Sequence, residues 1–307
     1  MFEWNKSQAT MPPSIEPPVA EPPDAVVTAS HPAGHFYSPI VDPAELLPRT
    51  AELWPSQPPQ ILGIDFNDAF HREVLQADFP RFMPDYQYVE READTTSATQ
   101  FYTQNSQFSW LDARACFVLL RKWQPKRIIE VGSGFSSLLM ADVNQRFFGG
   151  ACEITCVEPY PRPFLKQGIA GLTRVIEQKV QAVPLALFET LEAGDVLFID
   201  SSHVAKTGSD VNYLYFEVLP RLKAGVLIHV HDIFLPNEYL KEWVFTENRS
   251  WNEQYVLRAL LMYSTMFKVK FGCAYAFAAM LPLVQDAINH PKRHGFAGGS
   301  IWLEKVQ

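Results

Sequence analysis

The feature that most constrains the fold is a short apolar run that leads into two closely spaced glycines. It reads Arg127-Ile-Ile-Glu-Val-Gly-Ser-Gly-Phe-Ser-Ser137. Short apolar runs are typical of strands in a buried sheet, and glycine lets the backbone turn sharply where such a strand ends. The two serines that follow are residues able to open a helix. The segment therefore predicts a strand, a tight turn and a helix whose N-terminus faces a ligand.

A second apolar run with an acid at its end follows about twenty residues later. It reads Ile154-Thr-Cys-Val-Glu-Pro159, so that Glu158 lies at the predicted strand tip. An acid at the end of the second strand of a βαβ unit accepts hydrogen bonds from ribose hydroxyls. The two runs together predict a site for a ligand that contains a ribose.

The details of the turn favour one class of ligand over another. A dinucleotide fingerprint needs a third glycine, but Ser137 occupies that position, and Glu158 lies farther along the chain than the fingerprint predicts. Glu130, just before the turn, would repel a pyrophosphate but suits a cationic amine. S-adenosylmethionine carries an ammonium, a sulfonium and a ribose without phosphate, so the pattern favours it over NAD.

Composition excludes several classes of function. The 307 residues carry a net charge of −8 and no long run of Lys or Arg, which argues against a nucleic-acid or anionic-membrane surface. The four cysteines lack the spacing of metal ligands and suit a reducing compartment. No apolar signal segment follows Met1, and no run has the length of a membrane span. A cytoplasmic protein is expected.

The chain divides by composition near residue 60. Residues 1–60 contain four Pro-Pro pairs and are predicted to form a disordered, flexible tail, in which the partly apolar patch 44–54 could dock on the body. Residues 61–307 are predicted to form one domain, with an aromatic cap and a helix over 61–124 and a sheet over 125–307. Strands are expected near 127–131, 153–158, 173–179, 195–200, 225–231, 268–277 and 300–304. Helices are expected near 111–123, 136–146, 161–168, 184–191, 209–222 and 250–263.

The alternation of predicted strands and helices along the chain predicts an α/β fold with a Rossmann-like, doubly wound, mostly parallel seven-stranded sheet. The last two predicted strands have no clear helix between them, and we expect them to pair antiparallel at the C-terminal edge.

Two further predicted strands end in polar clusters. One runs into Asp200 and His203, and the other into His231 and Asp232. Each residue alone has an ordinary interpretation as a turn cap or loop residue. Because carboxyl ends of parallel strands meet at one edge of a sheet, these side chains are expected to converge on the crevice beside the glycine turn. Asp200, His231 and Asp232 are candidate ligands for one divalent metal ion, Mg²⁺ or Mn²⁺. His229 is expected to be a buried core residue.

These motifs together resemble the class I S-adenosylmethionine-dependent methyltransferases over about two thirds of the chain. Besides the two runs above, the resemblance rests on Asp195-Val-Leu-Phe-Ile-Asp200-Ser-Ser-His203 and Gly225-Val-Leu-Ile-His-Val-His231-Asp232, with Gly299-Ser-Ile-Trp-Leu-Glu304 as the last strand. Within this class the chain is most similar to metal-dependent small-molecule and sugar O-methyltransferases. An Asp-x-x-His element supplies a metal ligand and a general base there, and Asp200 and His203 match it. The family's acidic pair after the next strand reads His231-Asp232 here, so only Asp232 carries over cleanly.

The resemblance implies a site and a reaction. His203 would be the catalytic base for methylation of a hydroxyl on a small-molecule acceptor. The residues expected to bind S-adenosylmethionine are Glu130, Gly132, Ser133, Gly134, Ser136, Glu158, Gln181 and Asp200. Homo-oligomerisation stays open.

Three alternatives remain at this point. The first is a nicotinamide oxidoreductase on a similar sheet, which tight NAD binding would favour. The second is a metal-independent methyltransferase in which His203 acts alone. The third is a non-catalytic cofactor-binding module whose proline-rich tail recruits partners, against which the presence of Asp200 and His203 argues.

Overall fold

One seven-stranded sheet organises the described part of the chain, which is residues 29–288 and 298–307 of a computed structural model. The strands are β1 (Arg127–Val131), β2 (Glu153–Val157), β3 (Arg174–Ile176), β4 (Val196–Ile199), β5 (Leu227–Val230), β6 (Phe267–Gly272) and β7 (Ile301–Lys305). Their order is β3-β2-β1-β4-β5-β7-β6. Strands β1 to β5 pair in parallel, whereas β7 is antiparallel to both β5 and β6. The predicted Rossmann-like sheet with an antiparallel C-terminal edge is confirmed.

Helices cover both faces of this sheet. The α-helices are α1 (Pro43–Leu46), α2 (Thr50–Leu53), α3 (Asp68–Glu73), α4 (Phe79–Phe82), α5 (Trp110–Trp123), α6 (Phe135–Phe147), α7 (Pro163–Lys166), α8 (Leu185–Phe188), α9 (Asp210–Tyr213), α10 (Leu219–Arg221), α11 (Lys241–Phe245), α12 (Glu253–Leu261), α13 (Cys273–Ala279) and α14 (Leu281–Ile288). Short 3₁₀ turns cover Leu47–Arg49, Met83–Asp85, Glu92–Asp94 and Val180–Ala182, and π turns cover Val74–Asp78 and Leu214–Val218.

The central strands are apolar because both of their faces are buried. Helices α5 and α6 pack on one face, and α9, α10 and α12 pack on the other, so the sheet separates two hydrophobic layers. Val131 of β1 pairs with Ile199 of β4, and Ile199 in turn pairs with Val230 of β5. These three strands therefore end at the same level, which brings the polar residues that follow them side by side.

The C-terminal part of the chain differs from the expectation in one respect. Strand β6 ends at Gly272, and α13 and α14 follow it, where a longer strand and no clear helix were expected. The sequence Cys273-Ala-Tyr-Ala-Phe-Ala-Ala279 alternates in side-chain size and so resembles a strand. Its four alanines strongly favour a helix, however, and Cys273, Ala274 and Ala276 are buried.

The N-terminal zone is partly packed on the body. Residues 1–28 of the expected flexible tail lie outside the described residues. In the patch over 44–54, the Trp54 indole Nε1 donates a hydrogen bond of 2.8 Å to the Tyr239 carbonyl. Trp54 and Leu46 pack against a small apolar cluster of Phe234, Tyr239, Val244 and Ala274. A domain boundary at residue 60 stays a prediction. Over the described ranges, the helices are too short or too polar to cross a membrane.

Candidate active site

A cavity of about 630 Å³ opens at the carboxyl ends of the parallel strands. It lies where the strand order reverses between β1 and β4, the place where open α/β sheets bind ligands. The residues after β1, β2, β4 and β5 all contribute to its lining, together with residues 106–108 of the cap and part of the segment 243–251. The sequence-predicted clusters therefore meet in one cavity.

The two glycines of the turn serve different purposes. Gly132 has a φ of +83°, and a Cβ at this position would lie 1.6 Å from the carbonyl oxygen of Asp200. Glycine is required there because the turn packs directly against the end of β4. A Cβ on Gly134 would meet only the Gln107 Oε1 atom, at 3.8 Å. The missing side chain at Gly134 thus leaves open space on the cavity side.

Glu130, which was expected to contact the amine of the ligand, does not line the cavity. Its carboxylate is fully buried below the turn and accepts hydrogen bonds from Ser136 Oγ at 2.6 Å, Ser137 Oγ at 2.5 Å and Cys156 Sγ at 3.2 Å. Burial raises the pKa of Glu130 to about 7, against the opposing effect of the serine hydrogen bonds. The geometry assigns Glu130 to holding the start of α6 in place, because the hydroxyls of α6 occupy its oxygens.

Glu158 lies at the cavity surface, at the end of β2. Its Oε2 accepts a hydrogen bond of 3.1 Å from the Ser133 backbone N–H, and its Oε1 accepts one of 2.8 Å from the Tyr160 N–H. The carboxylate is thus held beside the glycine turn, where ribose hydroxyls could share its remaining lone pairs.

A compact group of three side chains lies at the ends of β4 and β5. The Nε2 atom of His203 is 3.3 Å from Asp200 Oδ1 and 3.5 Å from Asp232 Oδ2. One ligand atom from each of the three residues lies within 4.8 Å of the others, a spacing suited to a metal ion. His203 and Asp232 have φ values of +60° and +55°. Non-glycine residues rarely adopt this conformation, and it is concentrated at functional sites.

The opposite side of the His203 ring contacts a residue that sequence reasoning left without a role. His203 Nδ1 is 2.9 Å from Oε2 of Glu253, at the start of α12, and Glu253 is fully buried. It lies in the stretch Trp251-Asn-Glu-Gln-Tyr255, where α12 begins. No local signal in that stretch identifies the partner of Glu253, which lies fifty residues earlier.

The side chains of this group shift the pKa values of one another. Burial by itself lowers the pKa of His203, but the carboxylates of Asp200, Glu253 and Asp232 outweigh burial and raise that pKa well above its ordinary value. Burial by itself raises the pKa of Asp200, but His231 and His203 outweigh it and lower that pKa. Burial raises the pKa of Asp232 to about 6, against the opposing charges of both histidines. The site therefore stabilises a positive charge between two carboxylates.

The other candidate residues occupy varied positions. His231 lines the cavity, and its Nε2 lies 3.6 Å from Asp232 Oδ1. It does not belong to the compact group of Asp200, His203 and Asp232. Ser133 and Ser136 line the cavity beside the turn. Gln181 does not line it, and its amide donates a hydrogen bond to the Gly208 carbonyl. His229 is fully buried with its ring stacked on Phe198, as expected of a core residue.

An aromatic wall packs beside the compact group in the lining of the cavity. The Trp251 ring lies 4.4 Å from the His203 ring, and the Arg249 guanidinium lies over both Trp251 and Trp243, at 4.5 Å and 4.1 Å from the two ring centroids. Glu247 pairs with Arg249 at the rim. The wall thus places two indole rings and a guanidinium next to the candidate catalytic group.

The chain is similar to several known proteins. Residues 129–233 match a family model described as a methyltransferase domain. An uncharacterized protein of Archaeoglobus fulgidus is 37% identical over 175 residues, which cover 55% of this chain and 77% of that protein. An O-methyltransferase from Bacillus cereus, solved in complex with SAH, shows a TM-score of 0.38 and 13% identity, covering 85% of this chain and 97% of its own. A 16S rRNA (adenine(1408)-N(1))-methyltransferase from Catenulisporales acidiphilia shows a TM-score of 0.27 and 13% identity, covering 66% and 96%. The residues that match the family model include Asp200, His203 and Asp232.

Proposed function

We propose that this chain, which belongs to the class I S-adenosylmethionine-dependent methyltransferases, transfers the donor's methyl group to a hydroxyl of a small molecule or sugar. The observation that carries the proposal is the position of His203. Its Nε2 faces Asp200 and Asp232 in the same cavity as the glycine turn and Glu158. A base and two carboxylates beside a donor site fit the deprotonation of a hydroxyl during methyl transfer.

The residues around the turn fit S-adenosylmethionine. The open space at Gly134 admits the amino-acid end of the donor, with Ser133 and Ser136 at its border. Glu158 lies where it can accept hydrogen bonds from the ribose hydroxyls, and Asp200 lines the same cavity. An adenine site near Gln181 remains a prediction. Bound S-adenosylmethionine would supply an electrophilic methyl group on a sulfonium sulfur.

The compact group also fits a divalent cation. Two carboxylates and an imidazole suit Mg²⁺ or, with the nitrogen as a ligand, Mn²⁺. We propose that Asp200 and Asp232 hold the ion, with His231 as a more distant candidate. Such an ion would lower the pKa of a coordinated hydroxyl.

His203 would then act as the base. Its Nε2 accepts the proton of the acceptor hydroxyl while the oxygen forms a bond to the methyl carbon, and the donor sulfur keeps the electron pair of the broken bond. Asp200 and Asp232 stabilise the resulting imidazolium from 3.3 Å and 3.5 Å. Much of the acceleration should come from alignment of the reacting atoms in the cavity.

The aromatic wall favours a ring-shaped acceptor. Trp251 packs beside His203, so a sugar or phenol ring in contact with the wall would place a hydroxyl near Nε2. The net charge of −8 argues against a nucleic-acid acceptor.

One experiment tests the function directly. Calorimetry should show S-adenosylmethionine binding with and without Mg²⁺, and label from a methyl-labelled donor should then enter hydroxylated sugars and phenols. Tight binding of NAD without binding of S-adenosylmethionine would contradict the proposal. Transfer of label to nitrogen or carbon acceptors alone would contradict O-methylation.

Replacing Glu158 tests the donor site. Glu158→Ala should weaken S-adenosylmethionine binding about tenfold or more, because hydrogen bonds to a charged acceptor contribute roughly 1.5–3 kcal/mol each. Titration calorimetry measures this, and Glu153→Ala, an exposed acid at the opposite end of β2, serves as a control. An unchanged affinity in Glu158→Ala would remove Glu158 from the site.

The two glycines should respond differently to alanine. Gly132→Ala should destabilise the fold by more than about 2 kcal/mol, because its φ is left-handed and its Cβ would collide with the Asp200 backbone. Gly134→Ala should change stability by less than about 1 kcal/mol but weaken donor binding, because its Cβ would enter the cavity. Thermal unfolding and calorimetry on both variants separate the two effects. Equal stability losses would contradict this division.

A further inference from the structure

We infer that Glu253 is a positioning residue that fixes the orientation and the tautomer of His203, an inference that rests on the proposed function. The Nδ1 atom of His203 lies 2.9 Å from Glu253 Oε2, and the Glu253 side chain is fully buried. A buried carboxylate is costly unless it is paired, so its placement against this ring needs a reason beyond packing.

The backbone around Glu253 holds it against the loop after β4. The N–H groups of Asn252 and Glu253 both donate to the His203 carbonyl, at 3.1 Å and 3.2 Å. The Asn252 side chain accepts a hydrogen bond of 2.6 Å from the Ala205 N–H and donates one of 3.2 Å to the Ala205 carbonyl. Helix α12 thus begins on the loop that carries His203, which locks the carboxylate and the ring to one another and preserves the left-handed backbone at His203.

The chemistry requires such a partner because His203 has competing acceptors on its other side. Neutral histidine carries one N–H, and its position depends on the acceptors around the ring. Asp200 and Asp232, at 3.3 Å and 3.5 Å from Nε2, would draw the proton to Nε2 and block its lone pair. A carboxylate accepts hydrogen bonds and does not donate them, so Glu253, at 2.9 Å, keeps the proton on Nδ1 and leaves the Nε2 lone pair facing the cavity.

The test combines kinetics with a direct view of the ring. In Glu253→Gln, kcat should fall about 10–100-fold while the affinity for S-adenosylmethionine stays unchanged, as for other carboxylates that orient a functional histidine. Glu253→Asp, which keeps a shorter carboxylate, should lose less. In protein with ¹⁵N-labelled histidine, long-range ¹H–¹⁵N spectra at a pH where the ring is neutral should show His203 as the Nδ1–H tautomer in the wild type. Glu253→Gln should shift it toward Nε2–H, and the His203→Gln spectrum assigns the signals.

Gln254 provides a matched control on the same turn of α12. It is also buried, but its side chain hydrogen-bonds to other residues: it accepts from the Phe234 N–H and donates to the Asn237 carbonyl. Gln254→Ala should lower stability without changing the tautomer.

The inference and the proposed function fail in different ways. An unchanged Nδ1–H tautomer in Glu253→Gln would overturn the inference, even if His203 proves to be the base. The spectra need no acceptor, so the expected shift would support the inference even if the reaction differs from the one proposed. If the tautomer in Glu253→Gln were unchanged and kcat fell only as much as the fraction of folded protein, Glu253 would have a structural role alone.

Discussion

His203→Ala is expected to lower the rate of methyl transfer by about 10²–10⁴-fold, because it removes the group that accepts the hydroxyl proton. Donor affinity should stay close to that of the wild type, since the residues beside the glycine turn are unchanged. Added Mg²⁺ or Mn²⁺ should not restore the rate, whereas raised pH should restore part of it because hydroxide can replace the imidazole. Initial rates with the identified acceptor, together with calorimetry for the donor, measure both effects.

The pH profile separates the base from a structural role. A base must be neutral to accept a proton, so the wild-type rate should rise as His203 loses its proton. The carboxylates raise the pKa of His203 above the ordinary 6.5, so this rise should occur above that pH when no divalent ion is added. Added Mg²⁺ should move the rise to lower pH, since a cation on Asp200 and Asp232 opposes protonation of the ring.

His71 serves as the control for that profile. It is equally buried, but its Nε2 accepts a hydrogen bond from the Gly272 N–H, and it does not line the cavity. His71→Ala should lower stability and keep the pH-dependent rise. If His203→Ala turned over at the wild-type rate, His203 would not be the base, and the Asp-x-x-His resemblance would have no functional meaning.

The strand ends were predictable because they obey local rules. Apolar runs that end in Glu130, Glu158 and Asp200 specify buried strands, and parallel strands place their carboxyl ends at one edge of the sheet. Register then completes the arrangement, since β1, β4 and β5 end at one level. The convergence of Asp200, His203 and Asp232 follows from these rules alone.

Side-chain orientation at the turn could not be predicted in the same way. Glu130 was assigned to the donor because an acid before a glycine turn suits an amine. In the structure, Ser136 and Ser137 of α6 donate to its carboxylate and bury it below the turn. Serines at the start of a helix can make several kinds of contact, and the sequence does not indicate the direction of their side chains.

Glu253 was missed for a different reason. Its contact with His203 joins residues fifty positions apart and depends on the path of residues 233–252 around the cavity. A glutamate at the start of a helix is ordinarily explained by the helix dipole, so nothing local marks it as buried. Contacts that tertiary structure creates between irregular segments carry no periodic signal in the sequence.

Asp200→Asn is expected to lower activity by about 10²–10³-fold at limiting metal, because loss of a charged ligand removes several kcal/mol of stabilisation. Excess Mn²⁺ or Mg²⁺ should restore part of that loss, since the amide oxygen remains a weak ligand. Asp195→Asn serves as the matched control. It changes a buried aspartate at the start of β4, whose Oδ1 accepts a hydrogen bond from the Arg127 N–H at the opposite edge of the sheet.

The comparison of Asp200→Asn with His203→Ala decides how the metal relates to the base. Rescue by metal in Asp200→Asn alone would support a carboxylate site for the ion with a separate base. Rescue in both variants would make His203 a ligand, consistent with its place in the compact group. A third outcome is activity that chelators do not change, with equal losses of activity in both variants and no restoration by metal. That outcome would indicate that Asp200 supports the charged imidazole directly, as in a metal-independent transferase.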